Sequence, residues 1–527
     1  MFIPGYLSRK PFFVLVVFAI LFILHVKTSK EQENVRAKTI GQVFTPSFIV
    51  DAILNYCNYS GCSIIGKHII DNSCGDGAFL RIIVQRYIDA CLEYGLSNND
   101  IVFHLQTYIH GIDNDKIAYD SCLDNLNSVA LDKGLEGVEW DIYHENALTC
   151  KRFDNQMDYV VGNPPYVRVH NLEDSYNEVK TYLFANGGMT DLYLAFFELG
   201  FNMLSPKGEL CYITPSSWLT SVAANNMRNY IMQHQNLLEL IDLEHFQAFE
   251  NATAYTMISH FQKGKNDGQF NYYTYDSDTR CRFFVERLKL EDVYIDSNFY
   301  LSNSQNLHLL REIKTKKFTK YVSVKNGFAT LADKVFIGSD IPDSPITIPV
   351  LKGSTGKWYK GLFPYDKNGK PLPMSVIFSN SAVKFHYQSC KEQLLKGRPE
   401  FEGWYLYGRT QALSDVWRKK LAVNTLVRTE KDFKLIDVNA GEGIYSGLYI
   451  TTEHDISLHW LKTLIATPNC VEYIKLLKKY KSGGYYTFNS KDLEQYLNYY
   501  ISLRTPQHYA DQSDISQHHP DLFHGVY

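Results

Sequence analysis

Two adjacent prolines, Pro164 and Pro165, follow a short apolar run, Tyr159-Val-Val161, and Gly162. Proline has no amide N–H and a fixed φ, so neither residue can continue a central strand. The sequence therefore predicts a buried strand over residues 158–162 and then a stiff loop, Asn163-Pro164-Pro165-Tyr166. In open α/β sheets, ligands bind at the carboxyl edge from which such a loop projects. The loop offers an amide side chain, carbonyls barred from a ladder and an aromatic face. These suit a planar nitrogenous group. The Asn163 side-chain oxygen and the Pro164 carbonyl can accept from one exocyclic NH2, and Tyr166 can stack on its ring. Such bonds draw the amino protons and leave the nitrogen lone pair more nucleophilic.

The flanking sequence alternates between the two periodicities. A helix is expected over 48–54 with Ser47 as N-cap. Strands are expected over 68–71, 108–113 and 144–148, with helices over 78–91 and 116–129. Beyond the tetrapeptide come a helix over 191–204, a turn at Pro206-Lys-Gly208 and a strand over 209–214. A helix at 227–234 and strands at 237–241 and 254–261 complete the expected sheet, with 263–268 an exposed loop. Strands alternating with helices imply a parallel doubly wound sheet.

A chain of 527 residues exceeds one ordinary core, so two folded domains are expected. The 45% hydrophobic content excludes a disordered chain. A net charge of −4 provides no global basic field, so any nucleic-acid face must be local. The ten cysteines include no Cys-x-x-Cys pair and no Cys/His cluster at zinc spacing, which points to free thiols. Residues 1–40 stand apart, with an apolar run over 11–26 flanked by Arg9-Lys10 and by Lys27 and Lys30. That run is shorter than the roughly 20 residues of a spanning helix. An upstream extension, a membrane anchor and a cleaved signal remain open for it. After residue 300 the periodicity loosens, and basic residues interleave with aromatics at 314–320, 352–360, 405–410, 417–420 and 478–486. Such stretches suit phosphate contact and base approach. The tail over 506–527 is expected to be mobile.

Three acids, Asp71, Asp113 and Glu145, fall at successive expected strand ends, which converge on one crevice in a Rossmann-type sheet. Gly75-Asp76-Gly77 lets backbone approach a ligand but lacks the G-x-G-x-x-G spacing that cradles a pyrophosphate. Carboxylates would repel phosphate. A cofactor with an ammonium, a ribose and an adenine fits better.

With Gly41-Gln-Val-Phe-Thr-Pro46, the stretch Asp71 to Leu80, Gly162 to Tyr166, Asp191-Leu-Tyr193 and Ile213 to Trp218 in place, the chain resembles N6-adenine DNA methyltransferases of restriction–modification systems. The resemblance is to the group with donor motifs first and the specificity domain last, and it covers about residues 40–500. It implies a Rossmann-like α/β methyltransferase domain over 41–300, an α+β target-recognition domain over 301–505, and S-adenosylmethionine as methyl donor with no metal. It also implies that Thr45 and the loop Asp71, Ser73, Gly75, Asp76 and Gly77 hold the methionine end. Asp113 would take the ribose hydroxyls, Glu145 the adenine amino group, and Phe196 would pack near that ring. The family has Asp where this chain has Glu145.

By the same resemblance, a flipped adenine lies between Tyr166 and Phe249, with Phe246 as the other candidate. Asn163 and Pro164 fix its amino group, Pro165 stiffens the loop, and water takes the proton. The partners implied are double-stranded DNA and a separate cognate restriction endonuclease, acting with a cytoplasmic monomer. Methylation of RNA or of protein glutamine through the same tetrapeptide, and a single chain that both cuts and modifies, are the alternatives. Two acidic–basic triplets, Glu178-Val-Lys180 and Asp432-Phe-Lys434, could serve a nuclease.

Overall fold

A computed structural model describes residues 45–169, 176–187, 190–249, 254–265, 267–453 and 456–504. The 1–40 leader and the 506–527 tail lie outside them. Among the described residues no helix is long and apolar enough to cross a membrane. Two compact units divide between Phe299 and Tyr300.

The first unit is built on a nine-stranded sheet in the order β3-β2-β1-β4-β5-β7-β6-β8-β9. Its strands are β1 (Ile69–Asp71), β2 (Ile109–Asp113), β3 (Asp141–His144), β4 (Met157–Gly162), β5 (Leu204–Pro215), β6 (Leu237–Asp242), β7 (Thr256–Gln262), β8 (Gln269–Asp276) and β9 (Cys281–Lys289). The first five pair in parallel, and β7 runs antiparallel between β5 and β6. From β1 the chain builds outward through β2 and β3, then returns to start the other side at β4. The switch point thus falls between the carboxyl ends of β1 and β4, where Asp71 and Gly162 stand. Ile69, Ile70, Val160, Val161, Leu210 and Ile213 on the central strands are fully buried. Such side chains each contribute roughly 1.5–3 kcal/mol, so this region anchors whatever its strand ends carry.

The helices used below are α1 (Ser47–Tyr56), α2 (Ala78–Tyr94), α3 (Asn98–Tyr108), α4 (Lys116–Asp132), α5 (Leu192–Met203) and α6 (Asn225–His234). Several expectations need correction. Ser47 is the first helical residue, because Pro46, extended at φ −60° and ψ 142°, takes the cap position without a side-chain bond. The strand expected over 144–148 lies earlier, at Asp141–His144. Asn146 ends it by accepting from Leu148 N at 3.0 Å and opening a 3-10 turn. Residues 206–208 bend inside β5 rather than preceding it. Lys207 takes a φ of +69°, and the β4–β5 register shifts between Met157 and Tyr159. The sheet does not close at β7, since β8 and β9 extend it. α3 was not expected; only Ile101 and Leu105 of it are buried, too short a stripe to register as periodic.

Among the described residues, the second unit combines helices with two four-stranded sheets and one three-stranded sheet. One four-stranded sheet is antiparallel, pairing Val322–Asn326, Leu448–Thr452, Lys420–Val423 and Leu435–Val438 in that order. The other is mixed, from Ile337–Gly338, Lys357–Leu362, Thr347–Lys352 and Gly443–Tyr445. Two basic residues expected to meet phosphate are interior. Lys420 Nζ donates to the carbonyls of Asp415, Val416, Arg418 and Glu442. Lys314 pairs with Asp492.

Candidate active site

The crevice forms where short strand-end loops stack at the switch point. Asp71 closes β1 and is 1% exposed. Its carboxylate accepts from Ser73 N at 3.1 Å. Burial, reinforced by Asp113 and Asp76 and only partly offset by the Ser73 bond, pushes its pKa up to about 8. Gly162 passes so close that a Cβ there would sit 2.7 Å from Asp71 Oδ1. Glycine at this position is what lets the β4 backbone and the β1 carboxylate share the switch point.

The loop after β1 is pinned from three sides. Asn72 is buried, accepting from Tyr212 Oη at 2.9 Å and facing Met203 Sδ. Gly75 N donates to Asp113 Oδ2 at 2.8 Å, which ties this loop to the end of β2. Asn125 on α4 donates to the Asp76 carbonyl at 2.9 Å. Gly77, at φ +87°, begins α2 against Cys122, whose Sγ would lie 2.9 Å from an added Cβ. Asp113 also accepts from Asp115 N at 2.8 Å. Burial raises its pKa in spite of both bonds. Asp76 is raised by burial too, against the pull of Arg81. Thr45, Ser47, Asp76, Ala78 and Arg81 line a cleft of about 230 Å³ beside this loop.

Across the switch point, Asn163 Nδ2 donates to Thr45 Oγ1 at 3.1 Å. Tyr166 donates through its hydroxyl to the Ile213 carbonyl at 3.1 Å. Beyond it, Leu192 N bonds Val167 O and Val169 N bonds Thr190 O, holding the tetrapeptide loop against the start of α5. Tyr193 Oη meets Ser217 Oγ at 3.0 Å. Three of the sequence motifs therefore meet around one ring, that of Tyr166.

The aromatic pair departs from an open sandwich. Tyr166 and Phe249 lie 6.1 Å apart at 72°, edge to face, and Tyr193 approaches Tyr166 at 6.4 Å and 79°. Phe249 is buried. Phe246 turns elsewhere, against Phe48 and Tyr275. Glu145 follows β3, and its backbone N–H bonds the Asp113 carbonyl at 3.0 Å. Its carboxylate, however, is paired with Arg152 at 2.6 Å. Phe196 is buried on α5. The structure thus groups Thr45, Asp71, Ser73, Gly75, Asp76, Gly77, Asp113 and Asn163–Tyr166 around the switch point. It places Phe249 against Tyr166, and it shows Phe196 in no hydrogen bond or ring contact with that group. Sequence reading missed Asn125 and Arg152, because each acts across the fold or from an ordinary helical or loop context.

Asp71, Asp76 and Asp113 thus line a crevice at the switch point of a doubly wound sheet. Residues 92–249 match the family described as Eco57I restriction-modification methylase. The Type II methyltransferase M.BstVI of Geobacillus stearothermophilus is 28% identical over 300 residues, covering 53% of this chain and 51% of its own length. The Type II restriction enzyme and methyltransferase RM.Eco57I of Escherichia coli is 22% identical over 564 residues, covering 84% of this chain and 55% of its own. The chain thus spans about half the length of these curated relatives. Among solved structures, the Type IIL restriction-modification enzyme MmeI in complex with DNA aligns over 92% of this chain and 67% of its own, with a TM-score of 0.57 and 11% identity. A nuclease-deletion mutant of the Type ISP enzyme LlaGI, in complex with a DNA substrate mimic, gives 0.51 over 87% of this chain and 54% of its own, at 12% identity. At these identities the structural likeness is one of fold. The chain is similar, in sequence, to methyltransferases of restriction–modification systems.

Proposed function

We propose that the chain is a DNA methyltransferase of a restriction–modification system, acting on N6 of an adenine extruded from duplex DNA. The observation that carries this reading is the meeting of Asp71, Thr45, Asn163 and Tyr166 at one switch point. S-adenosylmethionine fits the residues present. Ser73 Oγ is buried without a hydrogen-bond partner, and Asp71 is a buried carboxyl whose raised pKa an ammonium would bring down. Asp71, Ser73 and the Gly75–Gly77 backbone, with Thr45, would hold its amino-acid end. Each Asp113 oxygen accepts one backbone N–H and keeps a lone pair for ribose hydroxyls. Glu145 can turn to an adenine amino group only by sharing or leaving Arg152. When bound, this co-substrate supplies an electrophilic methyl group.

The chain's own part is positioning. Asn163 and the Pro164 carbonyl orient the target amino group and expose its lone pair. Tyr166 and Phe249 grip the ring that carries it, and extrusion of the base brings it within reach. Fixing both reactants turns an encounter between molecules into a reaction within one complex. The proton leaves to water. The second unit is assigned to recognition of the duplex site. Restriction and modification in one protein is the second reading, favoured by alignment of 84% of the chain with the Escherichia coli relative whose name joins both activities.

The test is transfer of labelled methyl from S-adenosylmethionine to unmethylated duplex DNA, comparing the full chain with its Asn163→Ala variant. N6-methyladenine formed by the first and lost in the second supports the reading. Label on RNA or on protein glutamine would overturn the substrate, and no transfer to any of the three would overturn the activity.

A further inference from the structure

Cys57, Glu209 and His260 each bring a ligand atom to within 4.8 Å of the others, and none of them belongs to the crevice. Strand register creates the group. Cys211 on β5 pairs with His260 on β7, which pairs in turn with Glu239 on β6. Paired residues present their side chains to one sheet face, and Glu209, two positions before Cys211, shares that face. Cys57, the C-cap residue of α1, brings its thiol to the same place. Cys57, Cys211 and His260 are 2%, 0% and 4% exposed.

The bonding around these residues resembles that of a ligated imidazole. His260 Nε2 lies 2.9 Å from Glu209 Oε2. Its Nδ1 has no hydrogen-bond partner and stands 3.9 Å from Glu239 Oε2. Glu239 is itself fixed by Arg282 and by Tyr273 Oη, and the other Glu209 oxygen accepts from Gln262 at 3.2 Å. Metal-bound histidines usually direct their second nitrogen at a carboxylate held in this manner.

We propose that Cys57, Glu209 and His260 bind a divalent transition-metal ion, with Cys211 as the fourth ligand. Thiolate, imidazole and carboxylate in a closed four-coordinate shell select Zn2+. Two thiolates and one carboxylate around a dication leave one negative charge on the buried shell, which lies beside the Arg282–Glu239 ion pair. His260 ligates through Nε2 and donates from Nδ1 to Glu239, which is a positioning residue. The site is structural: it ties the end of α1 to β5 and β7. α1 begins two residues after Thr45, so the same bond steadies the crevice.

The full chain, stripped with a chelator, is titrated with Co2+ and followed by absorbance. The expected result is a thiolate-to-cobalt charge-transfer band with tetrahedral d–d bands, saturating near about one equivalent. Cys57→Ser and His260→Gln lose the bands. Glu239→Gln keeps them but weakens binding about 10–100-fold, and Cys470→Ser in the second unit leaves them unchanged. Absence of the thiolate band in the unsubstituted protein would overturn the proposal. So would a Cys57–Cys211 disulfide in peptide maps of the protein as purified. Should the variants not fold, chelation decides: the proposal requires the unsubstituted protein to unfold at a lower temperature without metal than with Zn2+.

Discussion

Asn163 Nδ2 donates to Thr45 Oγ1 at 3.1 Å, a bond spanning 118 positions of sequence. An amide that spends its NH2 on Thr45 must turn its oxygen the opposite way. Thr45, two residues before α1, therefore sets the direction in which the tetrapeptide can accept a hydrogen bond. A neutral bond of this kind contributes about 0.5–1.5 kcal/mol. Thr45→Val should lower kcat/KM for DNA methylation by roughly tenfold, and Thr45→Ser should restore most of it. Steady-state kinetics on a defined duplex measures both.

Gly162→Ala places a methyl group 2.7 Å from Asp71 Oδ1. The carboxylate is walled in and must rotate off its Ser73 bond. Overpacking of this kind costs about 1–3 kcal/mol. The expected outcome is at least a roughly tenfold loss of S-adenosylmethionine affinity by calorimetry, with a smaller fall in unfolding temperature. Unchanged affinity would remove Asp71 from the ligand site.

Asp71 also predicts opposite pH trends for stability and binding. Its folded pKa of about 8 lies above the ordinary value of 3.8 because burial disfavours its charge. Between those values the folded protein holds a proton that the unfolded chain has released. Its contribution to stability is therefore full below the lower value and falls as pH rises to about 8, by at most about 1.4 kcal/mol per pH unit. Affinity for a cationic ligand should rise over the same window, because the carboxylate must ionise to bind it. Asp71→Asn should flatten both trends, as urea unfolding and calorimetry across that window would show.

In the second unit, Asp492 accepts from Lys314 Nζ at 2.7 Å and from Lys479 Nζ at 2.6 Å. Burial works to raise its pKa, but the two lysines outweigh it and hold the carboxyl below its usual range. That contribution is present above the ordinary carboxylate pKa and is lost as pH falls below it. Asp492→Asn strands Lys314, which is 3% exposed at its side chain. The expected cost is about 3–5 kcal/mol in denaturant unfolding. Breaking the exposed Lys316–Glu312 pair with Lys316→Ala should cost less than about 1 kcal/mol.

Much of the crevice was readable because its residues sit where local chemistry changes. An aspartate closing an apolar run marks a strand end, and two prolines stop a ladder whatever surrounds them. That reasoning located β1, β2, β4 and the loops beyond them. Glu145 shows where it ran out. Nothing in the sequence reveals that Arg152, seven residues on, occupies its carboxylate, since that contact depends on how the 3-10 turn after Asn146 folds back. Lys420 and Lys314 read as surface charge because their partners come from other elements. The Cys57, Glu209 and His260 group escaped notice for a related reason. Zinc motifs are recognisable when ligands share a short segment, whereas here sheet register assembles them from three distant elements.

The edge-to-face contact of Phe249 on Tyr166 gives the proposed reaction a threshold. A base that is to lie flat on Tyr166 must first displace a ring already packed there, so the protein opposes its own substrate. That opposition is met only when contacts elsewhere along the nucleic acid are strong enough to cover both the displaced ring and the unstacked base. Free adenine and short single strands bring no such contacts. In the proposed reaction the aromatic pair would thereby restrict modification to properly engaged DNA without reading a single base pair.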